Sequence, residues 1–196
     1  MTYLAQRNKK TLEVNVLNLA NQITLSRILL VPIFMVFLLY DLPYGQYICA
    51  IIFVVAALTD GIDGYVARKY NQITNFGKFV DPLADKLLVS AALIGLVQIG
   101  RLDAWFAVII ISREFMVTSL RVVAISEGKV IAAGMSGKVK TVMQIVAIVA
   151  MLIDKIYVLS IGDVLISTVL MTLAVLMTVY SGVEYIAKNW SMIEFR

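Results

Sequence analysis

Six apolar stretches, roughly Ile23–Tyr40, Gln46–Leu58, Leu83–Gly100, Ala104–Val123, Thr141–Ile153 and Val164–Ile186, fill most of this 196-residue chain and follow one another through short polar connections. At a rise of about 1.5 Å per residue, a helix needs about 20 apolar residues to cross the hydrocarbon of a bilayer. Several stretches fall short of that, so the rest of their length must come from the polar residues beside them. The second would run on into TDGIDGYVARKY, the third would begin with KFVDPLADK, and the fifth with GKVKT. Charge then collects at one end of each helix. With 61% hydrophobic and 15% charged residues, against roughly 25% charged in a soluble domain, the chain reads as an all-α membrane protein with six transmembrane helices.

The basic residues give the orientation. Arg7, Lys9 and Lys10 precede the first stretch, Arg68, Lys69 and Lys78 lie between the second and third, and Lys129 and Lys138 between the fourth and fifth. The opposite connections carry only Arg101 and Lys155. By the positive-inside rule both termini and the polar helix ends face the cytosol. Residues 1–17 read as a cytosolic tail or amphipathic segment, without the compact apolar core and small-residue cleavage site of a signal peptide. No polar stretch is long enough to fold separately, which points to a single membrane domain over 18–190 and a short tail over 191–196. Tyr40 and Trp105 suit the outer interface, and Tyr180, Tyr185 and Trp190 a cytosolic aromatic belt. Pro32 is placed to kink the first helix. Cys49 reads as a small buried hydrophobe. Histidine is absent, so a general base must come from carboxylate, lysine, tyrosine or the lone cysteine.

Four aspartates stand out in a chain with few charges. Asp60 and Asp63 are three residues apart at the end of the second helix, and Asp81 and Asp85 four apart at the start of the third, so each pair shares a helix face. Brought together, four carboxylates could not all remain ionised without bound cations or several protons. Oxygen-only ligands favour a hard ion, Mg²⁺ or Mn²⁺, over zinc. The competing reading is four helix-end carboxylates that cap and solubilise a loop. Gly61, Gly64 and Ala67 lie beside them, where glycine costs up to about 1 kcal/mol relative to alanine in a helix. Either a ligand or a neighbouring helix approaches that backbone closely. Arg68 offers a planar fork toward a phosphate there, or else reaches to lipid headgroups.

A second charged group lies in the fourth and fifth helices. The segment ISREFMVTSLRVV puts Arg113 and Arg121 two turns apart on one helix, and SGKVKT adds Lys138 and Lys140. An arginine amid apolar neighbours must face the bundle interior or water. These residues suit a phosphate-bearing ligand. An ion pair of Arg113 with Glu114, and headgroup contacts for the two lysines, compete with that reading.

The pattern D-x2-D-G-x2-A-R-x8-G-x3-D-x3-D, filled by Asp60, Asp63, Gly64, Ala67, Arg68, Gly77, Asp81 and Asp85, resembles the signature of the CDP-alcohol phosphatidyltransferases, and no position departs from it. Eight positions at residue frequencies of roughly 6% would match by chance about once in 10¹⁰ trials. The resemblance implies a six-helix fold with a polar cavity open to the cytosol, usually a homodimer. It implies that Asp60, Asp63 and Asp81 hold metal ions, that Asp60, Gly64, Ala67, Arg68 and Gly77 bind the CDP moiety, and that Asp85 is metal-linked and serves as base, with Asp81 its rival. The strings Asn21–Arg27, Arg113–Arg121 and Gly137–Thr141 look like the branch of the family whose acceptor is glycerol-3-phosphate. That branch would transfer a phosphatidyl group from CDP-diacylglycerol and release CMP, in the bacterial cytoplasmic membrane, with the active site toward the cytosol. Arg113, Arg121, Lys138 and Lys140 would then bind glycerol-3-phosphate, and Asn21 and Thr24 would line the donor cavity.

A pair of divalent ions about 3.5–4 Å apart suits a diphosphate donor. No activated serine, cysteine or histidine is evident, so a single direct displacement is expected. The partners are lipids and these small substrates, with no nucleic acid. Serine, inositol phosphate or phosphatidylglycerol as acceptor are the alternatives within the family. A divalent-cation transporter is the alternative outside it, although that would need acids along a pore rather than at one face.

Overall fold

The computed structural model describes residues 19–40, 42–69, 75–126, 134–154, 160–161 and 164–190; residues 19–24, 60–69, 75–83, 85, 125–126, 160–161 and 164 are described by backbone alone. Six helices run through them: α1 (Leu19–Leu39), α2 (Gly45–Lys69), α3 (Asn75–Gln98), α4 (Ala104–Ser126), α5 (Met135–Ile153) and α6 (Ile166–Lys188). Before α6, Ser160 and Ile161 pair antiparallel with Leu165 and Val164. As expected from the short apolar cores, α2 continues through the aspartates to Lys69, α3 starts before them, and α5 starts ahead of the GKVKT lysines. The tails over 1–17 and 191–196, and Lys129 and Lys155, lie outside the described residues.

The turns follow from local chemistry. Between α1 and α2, Tyr44 takes a left-handed φ of 58°, and Gly45 donates its N–H to the Leu42 carbonyl at 2.9 Å. A side chain at Gly45 would meet the Phe37 carbonyl oxygen at 3.0 Å, so the two helices can turn this tightly only with glycine there. Gly100, at φ 72°, ends α3, and the Arg101 N–H reaches back to the Leu96 carbonyl at 2.9 Å, the six-to-one bond of a Schellman stop. Asp103 then caps α4, its Oδ1 accepting the Trp105 N–H at 2.8 Å. α1 runs unbroken through Pro32.

The chain divides into two compact units, Met1–Ala91 and Ala92–Arg196, with the division inside α3. In the first, α1 packs on α2. Phe34 and Phe53 are fully buried there with ring centroids 6.3 Å apart, and the Cys49 thiol donates to the Phe34 carbonyl at 3.5 Å. In the second, α6 packs against both α4 and α5. Ile110, Ile148, Leu152 and Met171 form its core, and Arg101 donates to the Met151 carbonyl at 3.1 Å.

Burial in these units departs from the soluble pattern. Exposed stripes are apolar, as in Ile51, Val55 and Leu58 of α2, Val139, Val142 and Val146 of α5, and Leu173, Leu176, Val179 and Val183 of α6. Lys140, Gln144, Ser167, Thr178 and Ser181 are buried instead. Faces like these belong against lipid, with polar groups turned toward protein. Among the described residues α5 and α6 are long and apolar enough to cross a membrane. α4 matches them in length and carries three charges, Arg113, Glu114 and Arg121.

Candidate active site

Residues spaced alternately by three and four share one face of a helix. In α6 that face is Ser167, Met171, Ala174, Thr178, Ser181 and Tyr185, all buried. In α5 it is Met151, Ala147, Gln144 and Lys140. In α4 the buried residues Ala107, Ile110, Val117 and Ala124 share it with Glu114 and Arg121. Each buried face therefore carries polar residues at one end: Thr178, Ser181 and Tyr185 in α6, Gln144 and Lys140 in α5, and Glu114 and Arg121 in α4.

The aspartates occupy the same kind of position. In α2 the buried series Cys49, Phe53 and Ala56 continues in register to Asp60 and Asp63. In α3 the buried series Leu96, Ala92 and Leu88 continues to Asp85 and Asp81. The backbone is helical through both pairs, so each pair holds a register position in line with its helix's buried series. Two carboxylates one turn apart on a rigid helix suit a hard divalent cation. The side chains of these four aspartates and of Ala67 and Arg68 lie outside the described residues, as do those of Asn21 and Thr24 in the first turns of α1. Gly64 and Gly77 fall on helical backbone in α2 and α3.

The cations can be followed atom by atom. Lys140 is 1% exposed, and its ammonium donates to Glu114 Oε1. The same oxygen lies 3.5 Å from Arg113 Nη1, so one carboxylate joins a lysine of α5 to an arginine of its own helix. The Arg113 side chain, 13% exposed, passes between two glycines. A Cβ built on Gly137 of α5 would stand 3.9 Å from its Nη2, and one on Gly182 of α6 would stand 3.1 Å from its Cγ and 3.8 Å from its Nε. Arg113 also lies within electrostatic reach of Arg121 and Tyr185. Arg113 Nε, Arg121 Nε and Tyr185 Oη are buried with no hydrogen-bond partner among the described residues. A buried polar atom without a partner is costly, and three on one patch fit a ligand that supplies acceptor oxygens. Glu184 Oε1 accepts from Lys188, and its Oε2 is buried with no hydrogen-bond partner among the described residues.

The structure brings together Arg113, Arg121 and Lys140 of the four cations expected at a phosphate site. The expected competitor, an Arg113–Glu114 ion pair, is present too, and Lys140 shares it. Lys138 is exposed, because two residues turn an α-helix by about 200°. Tyr185 corrects the aromatic-belt expectation: it is 8% exposed, whereas Tyr180 and Trp190 are more than half exposed. The sequence presents the last helix as almost wholly apolar, and Gly182 and Tyr185 pass unnoticed in it. The alternating spacing of Thr178, Ser181 and Tyr185 is the signal that points to them.

Comparison with known proteins gives a consistent result. A family model described as CDP-alcohol phosphatidyltransferase matches residues 17–180, a match that runs across both compact units. The chain is 48% identical over 189 residues to the CDP-diacylglycerol–glycerol-3-phosphate 3-phosphatidyltransferase of Bacillus subtilis (strain 168), covering 90% of this chain and 97% of that one. It is 43% identical over 176 residues to a probable phosphatidylglycerophosphate synthase of Mycobacterium tuberculosis, covering 87% and 81%. It is 33% identical over 173 residues to the Rickettsia bellii protein that bears the same name as the Bacillus one, covering 86% and 93%. The chain, its aspartate signature and its helices belong to the CDP-alcohol phosphatidyltransferase family.

Proposed function

We propose that this chain is a multi-pass enzyme of the bacterial cytoplasmic membrane that transfers the phosphatidyl group of CDP-diacylglycerol to glycerol-3-phosphate and releases CMP. The observation that carries the reading is that each compact unit carries a polar helix face, acidic in one and cationic in the other. Acids continue the buried faces of α2 and α3, and cations those of α4 and α5. The names of the relatives point the same way. The six-span arrangement with both termini and the active site toward the cytosol rests on the distribution of lysine and arginine. Assembly as a homodimer rests on the family resemblance, and one membrane domain over 18–190 on the close succession of apolar stretches.

Asp60, Asp63, Asp81 and Asp85 would hold Mg²⁺ or Mn²⁺, two ions by the chemistry of the donor. Such ions offset the charge that builds on a diphosphate as it is cleaved. Asp60, Gly64, Ala67, Arg68 and Gly77 hold the CDP moiety, the glycines letting the nucleotide approach α2 and α3 closely. Asn21 and Thr24 of α1 would line the donor cavity. Asp85 takes the proton of the attacking hydroxyl, and Asp81, one turn away, remains a ligand. The hydroxyl oxygen bonds to the phosphatidyl phosphorus as the bond to CMP breaks, in one displacement.

The acceptor is a small dianion, and the α4–α6 patch has the charge to match. Arg113, Arg121 and Lys140 contribute three positive charges and Glu114 removes one. Arginine forks with buried, unshared N–H groups suit phosphate oxygens. The Tyr185 hydroxyl is a further donor on the same patch. Lys138, exposed, draws anionic acceptor toward the surface.

The test is CMP release from purified protein with CDP-diacylglycerol and Mg²⁺, comparing glycerol-3-phosphate, serine, inositol phosphate and phosphatidylglycerol. Release with glycerol-3-phosphate alone is expected. Release with another acceptor alone would refute the acceptor assignment, and release with none would refute the transferase reading.

A further inference from the structure

We infer that Gly182 is a positioning residue for the acceptor: the side chain it lacks is the space in which Arg113 lies. The inference rests on the proposed role of Arg113 as an acceptor ligand. Gly182 is the one glycine of α6 and stands mid-helix, where alanine would be the better helix former. It is buried, yet the atoms it makes room for belong to one side chain. An added Cβ would approach Arg113 Cγ to 3.1 Å and Nε to 3.8 Å, and among the described residues no other atom outside its own helix stands within 4 Å.

Arg113 has little room to yield. Its Nη1 is 3.5 Å from Glu114 Oε1, which Lys140 holds from the other side, and its Nη2 lies over Gly137. Cγ is near the root of the side chain, so a few tenths of an ångström there swing the guanidinium further. Oriented contacts to a phosphate tolerate little misplacement. Close helix packing is the ordinary use of a small residue in a membrane protein, and it predicts a clash with neighbouring backbone. Here the closest neighbour outside the helix, among the described residues, is the Arg113 side chain itself. Gly182 thus acts through Arg113 and touches no substrate.

The experiment is two-substrate kinetics on purified Gly182→Ala, Arg113→Ala and the double variant. Gly182→Ala is expected to raise the KM for glycerol-3-phosphate about ten-fold, with kcat and the KM for CDP-diacylglycerol within two-fold of the native values. In the Arg113→Ala background the slot is empty, so Gly182→Ala should add nothing. An unchanged acceptor KM in Gly182→Ala, or the same penalty in both backgrounds, would overturn the inference and leave the acceptor reading standing. An unchanged acceptor KM in Arg113→Ala would refute the acceptor reading and this inference with it. If Gly182→Ala does not accumulate in the membrane, the double variant should, because the clash is gone; failure of both would assign Gly182 to helix packing and overturn the inference.

Discussion

The aspartate end of α2 and α3 and the cationic patch of α4 to α6 are built on one rule and encoded in two ways. In both, polar residues follow a buried apolar series at the same alternating spacing along the helix. The aspartates are local: Asp60 with Asp63, and Asp81 with Asp85, each need only one helix to share a face. The cationic patch is assembled. Glu114 of α4, Lys140 of α5 and Gly182 of α6 acquire their relation only when three helices pack. The comparison teaches that paired carboxylates can be read from spacing along one chain segment, whereas a cationic patch built across helices needs the packing.

If the two regions divide the labour as proposed, with acids at the donor and cations at the acceptor, substitutions should separate them. The largest effect belongs to Asp85→Asn. It should lower kcat for CMP release about 10²–10⁴-fold, the range of a lost general base, while the KM for glycerol-3-phosphate stays near native. A change in acceptor KM alone would break the comparison by moving Asp85 to the other region. Glu114→Gln comes next. It removes the carboxylate that Lys140 donates to and that Arg113 flanks, and breaking a buried pair costs about 3–5 kcal/mol. Its thermal midpoint in detergent should fall clearly below that of the native protein, whereas Asp85→Asn should leave that midpoint close to native.

Tyr185→Phe sharpens the boundary of the cationic region. A neutral hydrogen bond contributes about 0.5–1.5 kcal/mol, so the acceptor KM should rise about three- to ten-fold with little change in the donor KM. No change would return Tyr185 to a packing role. The smallest effect is expected of Lys138→Ala, because exposed charges act weakly and are screened by salt. Its acceptor KM should shift less than about two-fold in physiological salt and somewhat more at low ionic strength.

Much of this architecture is legible in the amino-acid sequence. The extension of α2, α3 and α5 beyond their apolar cores follows from the length a bilayer demands, and the turn at Gly100 and the start of α4 at Asp103 follow from residue chemistry. The carboxylate pairs are legible because both members lie within one turn. Sequence alone leaves Arg113 suspended between a phosphate ligand and a partner for Glu114. The two readings do not exclude each other, since Glu114 Oε1 lies 3.5 Å from Nη1 while Nε has no partner among the described residues. Lys138 and Lys140 look equivalent in the sequence, and only helix phase separates the exposed one from the buried one. Tyr185 is ambiguous there because a tyrosine near a helix end suits the interface equally well. Its burial comes from lying in register with Thr178 and Ser181 on the face that α6 turns inward.

The central claim is that the α4–α6 patch handles the acceptor while the α2–α3 acids handle the donor. The most direct test is the pair of KM values of Arg113→Ala, measured by varying each substrate at saturation of the other. A lost charge-assisted contact of about 1.5–3 kcal/mol corresponds to a rise of about 10–100-fold in the KM for glycerol-3-phosphate, with the KM for CDP-diacylglycerol unchanged. An equal rise in both values, or a rise for CDP-diacylglycerol alone, would contradict the account.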